Sequence, residues 1–154
     1  KNIMPMVWAV REDVRVDIVG KDPPKLIQAL SENHNVNITG TVPDLRPYLR
    51  TASLAVAPIT YGAGIQNKIL EAMACATPVI TTPKAVSSLK VSPNEDIVVA
   101  EDSTTFANAI LRMLDDAELQ KSIGDAGYQY VEKHHHWGNI AKDLRNIYQQ
   151  VKDK

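Results

Sequence analysis

The sequence predicts an α/β fold: one doubly wound, parallel sheet with helices on both faces. Three observations lead there. Short runs of β-branched and small apolar residues alternate with longer segments of helical apolar spacing, the order of parallel strands joined by helical crossovers. The run Leu54-Ala-Val-Ala57 lacks polar alternation, which marks a strand covered on both faces. Gly20, Gly40 and Pro58 close strand-like runs where the chain must turn toward its next helix. A length of 154 residues suits a single domain, large enough to bury ~70% of its unfolded surface.

The elements follow in order. Ile3, Met6, Val7 and Val10 share one helical face, with Pro5 tolerable in the first turn. Val14, Val16 and Ile18 alternate as a strand that stops at Gly20. Pro23-Pro24 opens a helix with Leu26, Ile27 and Leu30 as its apolar face. Val36-Asn-Ile38 is a second strand ending at Gly40, and Asp44 can cap a short helix through Arg50. Leu54–Ala57 is the third strand, Val79–Thr82 the fourth and Ile97–Ala100 the fifth. Three helices close the chain: Thr104 to Leu114, one marked by Leu119, Ile123, Ala126, Tyr130 and Val131, and one marked by Ile140, Leu144, Ile147, Tyr148 and Val151. Ligands of such sheets bind beyond the carboxyl ends of the strands, here Gly20-Lys21, Gly40–Val42, Pro58–Gly64, Thr81–Ser87 and Ala100–Asp102.

Composition removes several function classes. Hydrophobic residues make up 44% and charged residues 23%, ordinary for a globular domain, and a net charge of −1 offers no basic face for nucleic acid. Cys75, the single cysteine, allows neither a disulfide framework nor a thiolate zinc site, and between alanines it reads as a small buried hydrophobe. No apolar run approaches the ~20 residues that span a bilayer. His134-His-His136 lacks an acidic or thiol partner at ligand spacing, so packing or exposure is the reading there and no metal is expected. The nucleophile elbow and the P-loop are absent.

Tyr61 to Thr82 carries the densest signal: a glycine-containing loop, a helix expected to start near Gly64, then a strand. Ile65, Ile69, Ala72, Met73 and Ala76 form one apolar face, and Gly64, Lys68 and Glu71 fall on another. The helix start offers free N–H groups and a positive dipole end to an anion, with a lysine one turn in and a carboxylate two turns in. That order suits a phosphate followed by a sugar. It equally suits an ordinary loop and helix with a solvated Lys–Glu pair.

The run Asn67-Lys-Ile-Leu-Glu-Ala-Met-Ala-Cys-Ala-Thr-Pro-Val-Ile80 resembles the signature of the C-terminal, donor-binding half of family 4, GT-B fold glycosyltransferases, nearest the subgroup G-I-Q-N-K-x-L-E-A-M-A. Ile18-Val-Gly20, Val42-Pro-Asp44, Tyr48-Leu49, Ala57-Pro58, Leu114-Asp-Asp and Gly124-Asp-Ala-Gly127 fall in the family's order, so the resemblance covers essentially the whole chain. It implies a Rossmann-like domain, residues 1–154, from a longer two-domain protein. The implied function is the donor half of a retaining, hexosyl-type glycosyltransferase of polysaccharide biosynthesis, inactive when isolated. Its substrate would be a UDP- or GDP-linked sugar, without cofactor or metal. A glycan or lipid-linked acceptor would bind an absent N-terminal domain. The implied location is cytoplasmic, with peripheral membrane association through that missing half. By the same resemblance Glu71 would hold the ribose hydroxyls by charge-assisted hydrogen bonds. Gly62, Gly64 and Ile65 would meet the diphosphate with Lys68 as electrostatic helper, Thr41-Val42-Pro43 would lie against the base, and Lys21 would add charge.

Three departures qualify the implication. Family members often carry a second glutamate eight positions before the first, where this chain has Ala63. Ala76 stands where glycine usually ends the helix; a left-handed turn kept there costs ~1 kcal/mol. The family's domain also starts with a strand carrying an arginine and a lysine, central in the order 3-2-1-4-5-6, which this sequence does not supply. The sheet is therefore expected to be rearranged or filled by another chain. Two other classes stay open: a nucleotide-sugar 2-epimerase, and a non-catalytic interaction domain with a degenerate site, which Ala63 suits. A flavodoxin-like regulatory domain would need acidic residues at the first strand end, where Gly20-Lys21 stands.

Overall fold

The computed structural model describes residues 2–61 and 64–152. Helix α1 (Met4–Trp8) leads to strand β1 (Val16–Val19), and the Trp8 indole N–H donates to the Val14 carbonyl (2.8 Å) to hold the turn between them. Helix α2 (Lys25–Gln28) runs on as a 3-10 turn through Glu32 into β2 (Val36–Gly40). Helix α3 (Arg46–Thr51) starts where the Asp44 carboxylate accepts from the Arg46 N–H (2.9 Å). Strand β3 (Ala55–Ala57), α4 (Asn67–Ala74), β4 (Val79–Thr81), α5 (Pro83–Val86) and β5 (Val98–Val99) follow. The chain closes with α6 (Ser103–Asp115), α7 (Ala117–His134) and α8 (Trp137–Lys152).

All strand pairs are parallel. They form two sheets, β1 with β2, and β3-β4-β5 with β4 central. On β4, Val79 joins a core with Ile69, Ala72 and Met73 of α4, Val86 of α5 and Tyr130 of α7. Its neighbour Ile80 points to the other face, into a core with Val7 of α1, Phe106, Ile110 and Met113 of α6 and Ile123 of α7. Successive side chains of one strand feeding two cores is what helices on both faces require. The α/β, doubly wound reading stands.

Several local expectations do not. Only Val7 of the first helix's expected face is buried; Met6 is exposed within α1, and Val10 is exposed beyond its end at Trp8. Leu26 is exposed on the short α2. Val56 is 43% exposed, so β3 is not covered on both faces. Helix α4 begins at Asn67 rather than Gly64, because Gly64 sits at φ +80, a left-handed conformation outside the helix. Consequently Ile65 (exposed) and Ala76 (φ +56, exposed) lie off the buried face that Ile69, Ala72 and Met73 form. Cys75 is half-buried at the end of α4. Helix α5, four residues capped by the Thr82 side chain, was not expected. The sheet is neither continuous nor rearranged: it is split between β1 and β3.

Candidate functional site

The carboxyl end of β3 opens into a crevice of about 440 Å³ lined by Val56, Ala57, Pro58, Ile59, Thr60, Tyr61, Gln66 and Lys68. Its floor is fixed from behind. The Thr81 hydroxyl donates to the Ala57 carbonyl (2.8 Å) and the Thr82 hydroxyl to the Ile59 carbonyl (2.5 Å). The Ile59 N–H turns back onto the Ala57 carbonyl (2.8 Å), tightening the bend around Pro58. Both threonines are buried, so these bonds form away from water, where an unmade one would be costly. A second cavity of about 30 Å³, between α6 and α7, is large enough for little more than a water.

Helix α4 supplies the polar wall. Gln66 precedes it in extended backbone without a side-chain cap, and its carbonyl already takes the Ile69 N–H (2.9 Å). Among the described residues no partner takes the N–H of Asn67 or Lys68, and both belong to the first turn of α4, at the positive end of its dipole. The Lys68 side chain lines the crevice, and Glu71, one turn on, is solvent-exposed on the same side of the helix. Neither forms an ion pair with a described residue, which leaves both charges available.

The expected site residues divide into groups. Lys68 reaches the crevice; Gly64 and Ile65 border it in the loop before α4, both exposed, and Glu71 stands beside it outside the lining. Gly62 lies outside the described residues, as does Ala63. The structure gives Thr41, Val42 and Pro43 to the end of β2, Val42 half-buried and its neighbours exposed. The Asp44 carboxylate just beyond is held below its ordinary range by the Arg46 guanidinium. Lys21 follows β1, 76% exposed, 3.8 Å from Asp22. These two strand ends belong to the β1–β2 sheet and do not line the crevice. Sequence reasoning missed Gln66, Tyr61 and the pair Thr81–Thr82; the one available signal was two threonines closing an otherwise apolar strand. The three histidines pack locally. His134 and His135 lie against the Tyr130 ring, and the His136 Nδ1 accepts from the Gly138 N–H (3.2 Å).

Comparison with known proteins gives the arrangement a family. A glycosyltransferase assigned to teichuronic acid biosynthesis in Bacillus subtilis is 30% identical over 148 residues, 94% of this chain and 37% of its own length. The structure of sucrose-phosphate synthase from Thermosynechococcus elongatus superposes with TM-score 0.77 at 27% identity, over 99% of this chain and 43% of that one. The Anabaena protein HepE, solved in complex with UDP, superposes with TM-score 0.78 at 15% identity, over 99% of this chain and 44% of that one, a likeness of fold. This chain thus spans less than half the length of each. The family model of group 1 glycosyl transferases matches residues 1–116. With the GT-B type α/β domain and the crevice at its strand ends, the chain belongs to the group 1 glycosyl transferases.

Proposed function

We propose that this chain is the donor-nucleotide-binding domain of a retaining glycosyltransferase that moves a sugar from a nucleotide diphosphate carrier to a glycan acceptor. The observation that carries the reading is the juxtaposition at α4: the N–H groups of Asn67 and Lys68, without a partner among the described residues, and the Lys68 side chain on the crevice, with the Glu71 carboxylate, outside any ion pair with a described residue, one turn beyond. A diphosphate is neutralised by the first two, and vicinal ribose hydroxyls donate to Glu71. Charge stabilisation of the departing diphosphate is the chemistry such a wall supplies. Gly64, Ile65 and, outside the described residues, Gly62 would let the backbone approach the phosphates. Thr41–Pro43 would lie against the base, and Lys21 would add charge. The UDP held by the HepE structure makes a uridine carrier the first choice and GDP the alternative. The acceptor would bind a part of the protein outside these 154 residues.

Calorimetric titration with UDP, GDP and ADP tests this. One nucleotide should bind, and Glu71→Ala should weaken it about 10- to 100-fold, the loss of hydrogen bonds to a charged group. Equal affinity in wild type and Glu71→Ala would remove the ribose assignment. Sugar transfer by this chain alone would overturn the division of labour between donor and acceptor parts.

A further inference from the structure

The crevice wall formed by Pro58–Tyr61 lies beyond the strand pairing that carries it. Strands β3 and β4 pair from Ala55↔Val79 to Ala57↔Thr81, and the ladder stops there. Pro58 has no N–H to offer, and on the facing side the chain enters α5 at Pro83, a second residue without one. Past that point the tie across the two strand ends is made by a side chain.

Thr82 supplies it. Its buried hydroxyl donates to the Ile59 carbonyl (2.5 Å) from the other strand end. The same oxygen accepts from the Ala85 N–H (3.4 Å) as the cap of α5. Ala85 and Val86 are buried in the core against which Ile59 packs, so the helix end of this link is fixed. A hydroxyl has one proton to give and lone pairs to receive, and a single side chain therefore joins wall, strand end and helix. The Ile59 N–H bond to the Ala57 carbonyl (2.8 Å) bends the wall but stays within one strand end. Thr81 is the matched comparison. It is fully buried, and its hydroxyl donates to the Ala57 carbonyl (2.8 Å). Ala57 is inside the ladder, and its carbonyl keeps the Ile59 N–H when the Thr81 hydroxyl is removed. Losing that hydroxyl weakens the core without freeing the wall. Losing the Thr82 hydroxyl does both.

We propose that Thr82 is a positioning residue of the crevice: through the Ile59 carbonyl it sets the distance between the wall Pro58–Tyr61 and Lys68 of α4. Thr82 does not line the crevice and acts only through the wall it holds. Thr60 and Tyr61 carry that wall's polar side chains, and Lys68 lines the crevice from α4. A methyl group in place of the hydroxyl stands about 3.3–3.6 Å from a carbonyl oxygen rather than about 2.7–2.8 Å, so the wall retreats by about 0.5–1 Å. That the crevice grips a diphosphate rests on the donor reading above, and the retreat would loosen that grip. The link from Thr82 to the wall does not depend on that reading.

Two measurements test it, the first without nucleotide. Hydrogen exchange of the Ile59 amide should be at least about tenfold faster in Thr82→Val than in the wild type, and unchanged in Thr82→Ser, which keeps the hydroxyl. Calorimetry with UDP, or with GDP if that is the carrier, should show affinity lowered at least about tenfold in Thr82→Val. Thr82→Ser and Thr81→Val should stay within about threefold of the wild type. Thr82→Ala, without the added methyl, reads the same loss if the valine chain does not fold. An Ile59 amide as slow in Thr82→Val as in the wild type would overturn the proposal, and so would a faster amide with nucleotide affinity unchanged. Failure of the serine variant in either measurement would assign the effect to the threonine methyl, and an equal loss of affinity in Thr81→Val would assign it to a loosened core; each overturns the proposal. A wild-type chain that binds no nucleotide refutes the donor reading instead, and the exchange result alone then decides the role of Thr82.

Discussion

Ala76 carries the clearest strain in the chain. It ends α4 at φ +56, a conformation in which a Cβ crowds the carbonyl that follows. Glycine there should raise stability by about 1 kcal/mol, after allowing for the greater freedom it gives the unfolded chain. A chain of this size would show that as a rise in Tm of about 3 °C. The alanine's own carbonyl explains a second position. A Cβ built on Gly124 of α7 would lie 2.3 Å from the Ala76 oxygen and 3.2 Å from its carbonyl carbon. Backbone blocks both, so no rotamer relieves the clash. Gly124→Ala should lower Tm by about 3 to 10 °C, the range of an overpacked core. Thermal scans of the two variants check this; a neutral Ala76→Gly would mean the turn relaxes in solution. The departure at Ala76 was visible in the sequence as alanine in a glycine position. Its coupling to Gly124 was not, since that contact joins residues far apart in the chain. Thr81 and Thr82 escaped notice for the same reason: their acceptors, Ala57 and Ile59, belong to another strand end.

At the scale of elements, burial decided what could be read. Strand β4 and helices α6 and α7 follow their apolar patterns because each is sealed against a neighbour; Val79, Ile80, Phe106, Ile110 and Ile123 are all buried. Helix α6 starts one residue before the expected Thr104, after Asp102, whose carboxylate accepts from the Thr104 and Thr105 N–H groups (both 2.8 Å) and lies below its ordinary range, chiefly through Thr105. The start of α4 was misplaced because Gln66 gives no capping signal, and α5 was missed because four residues show no period. The junction of α7 and α8 holds a pH-sensitive contact. The Tyr130 hydroxyl accepts from the Lys90 N–H (3.0 Å) and lies 3.4 Å from the His135 Nε2, with the His134 ring tilted at 37° against the same ring, centroids 4.8 Å apart. Burial, and then the neighbouring His134, hold the His135 pKa below 6.5, while Tyr130 is raised by burial. His135 is thus neutral in the folded chain where the unfolded chain already takes up a proton. Its contribution to stability is present above about pH 6.5 and is lost as pH falls through its lowered folded value. A plot of Tm against pH should show a downward step below about pH 6.5 that His135→Gln removes. A step of the same size in the variant would place the sensitivity elsewhere.

The whole molecule is unevenly built. Among the described residues, buried ones run from Ala57 to Tyr130, with Val7 the one exception before them, while α8 lies outside both cores. The apolar spacing of Ile140, Leu144, Ile147, Tyr148 and Val151 marks α8 as an amphipathic helix, yet its apolar stripe joins neither core. Trp137, Ile140, Leu144, Ile147, Tyr148 and Val151 are 41–82% exposed. Area removed from water is what makes apolar side chains stabilise a fold, and these remain largely in water. The junction contributes more than the helix: the Asn139 amide donates to the Glu132 carbonyl (2.9 Å) and satisfies the end of α7. Deleting residues 141–152 keeps Asn139 and removes most of the stripe. The shortened chain should therefore melt within about 3 °C of the parent, because each kilocalorie lost moves Tm of a chain this size by only 2–4 °C or so. It should also bind less of a hydrophobic dye and stay monodisperse at higher concentration, since an exposed apolar patch promotes association. A fall of about 10 °C would show instead that the stripe is packed in solution and that the two cores extend through α8.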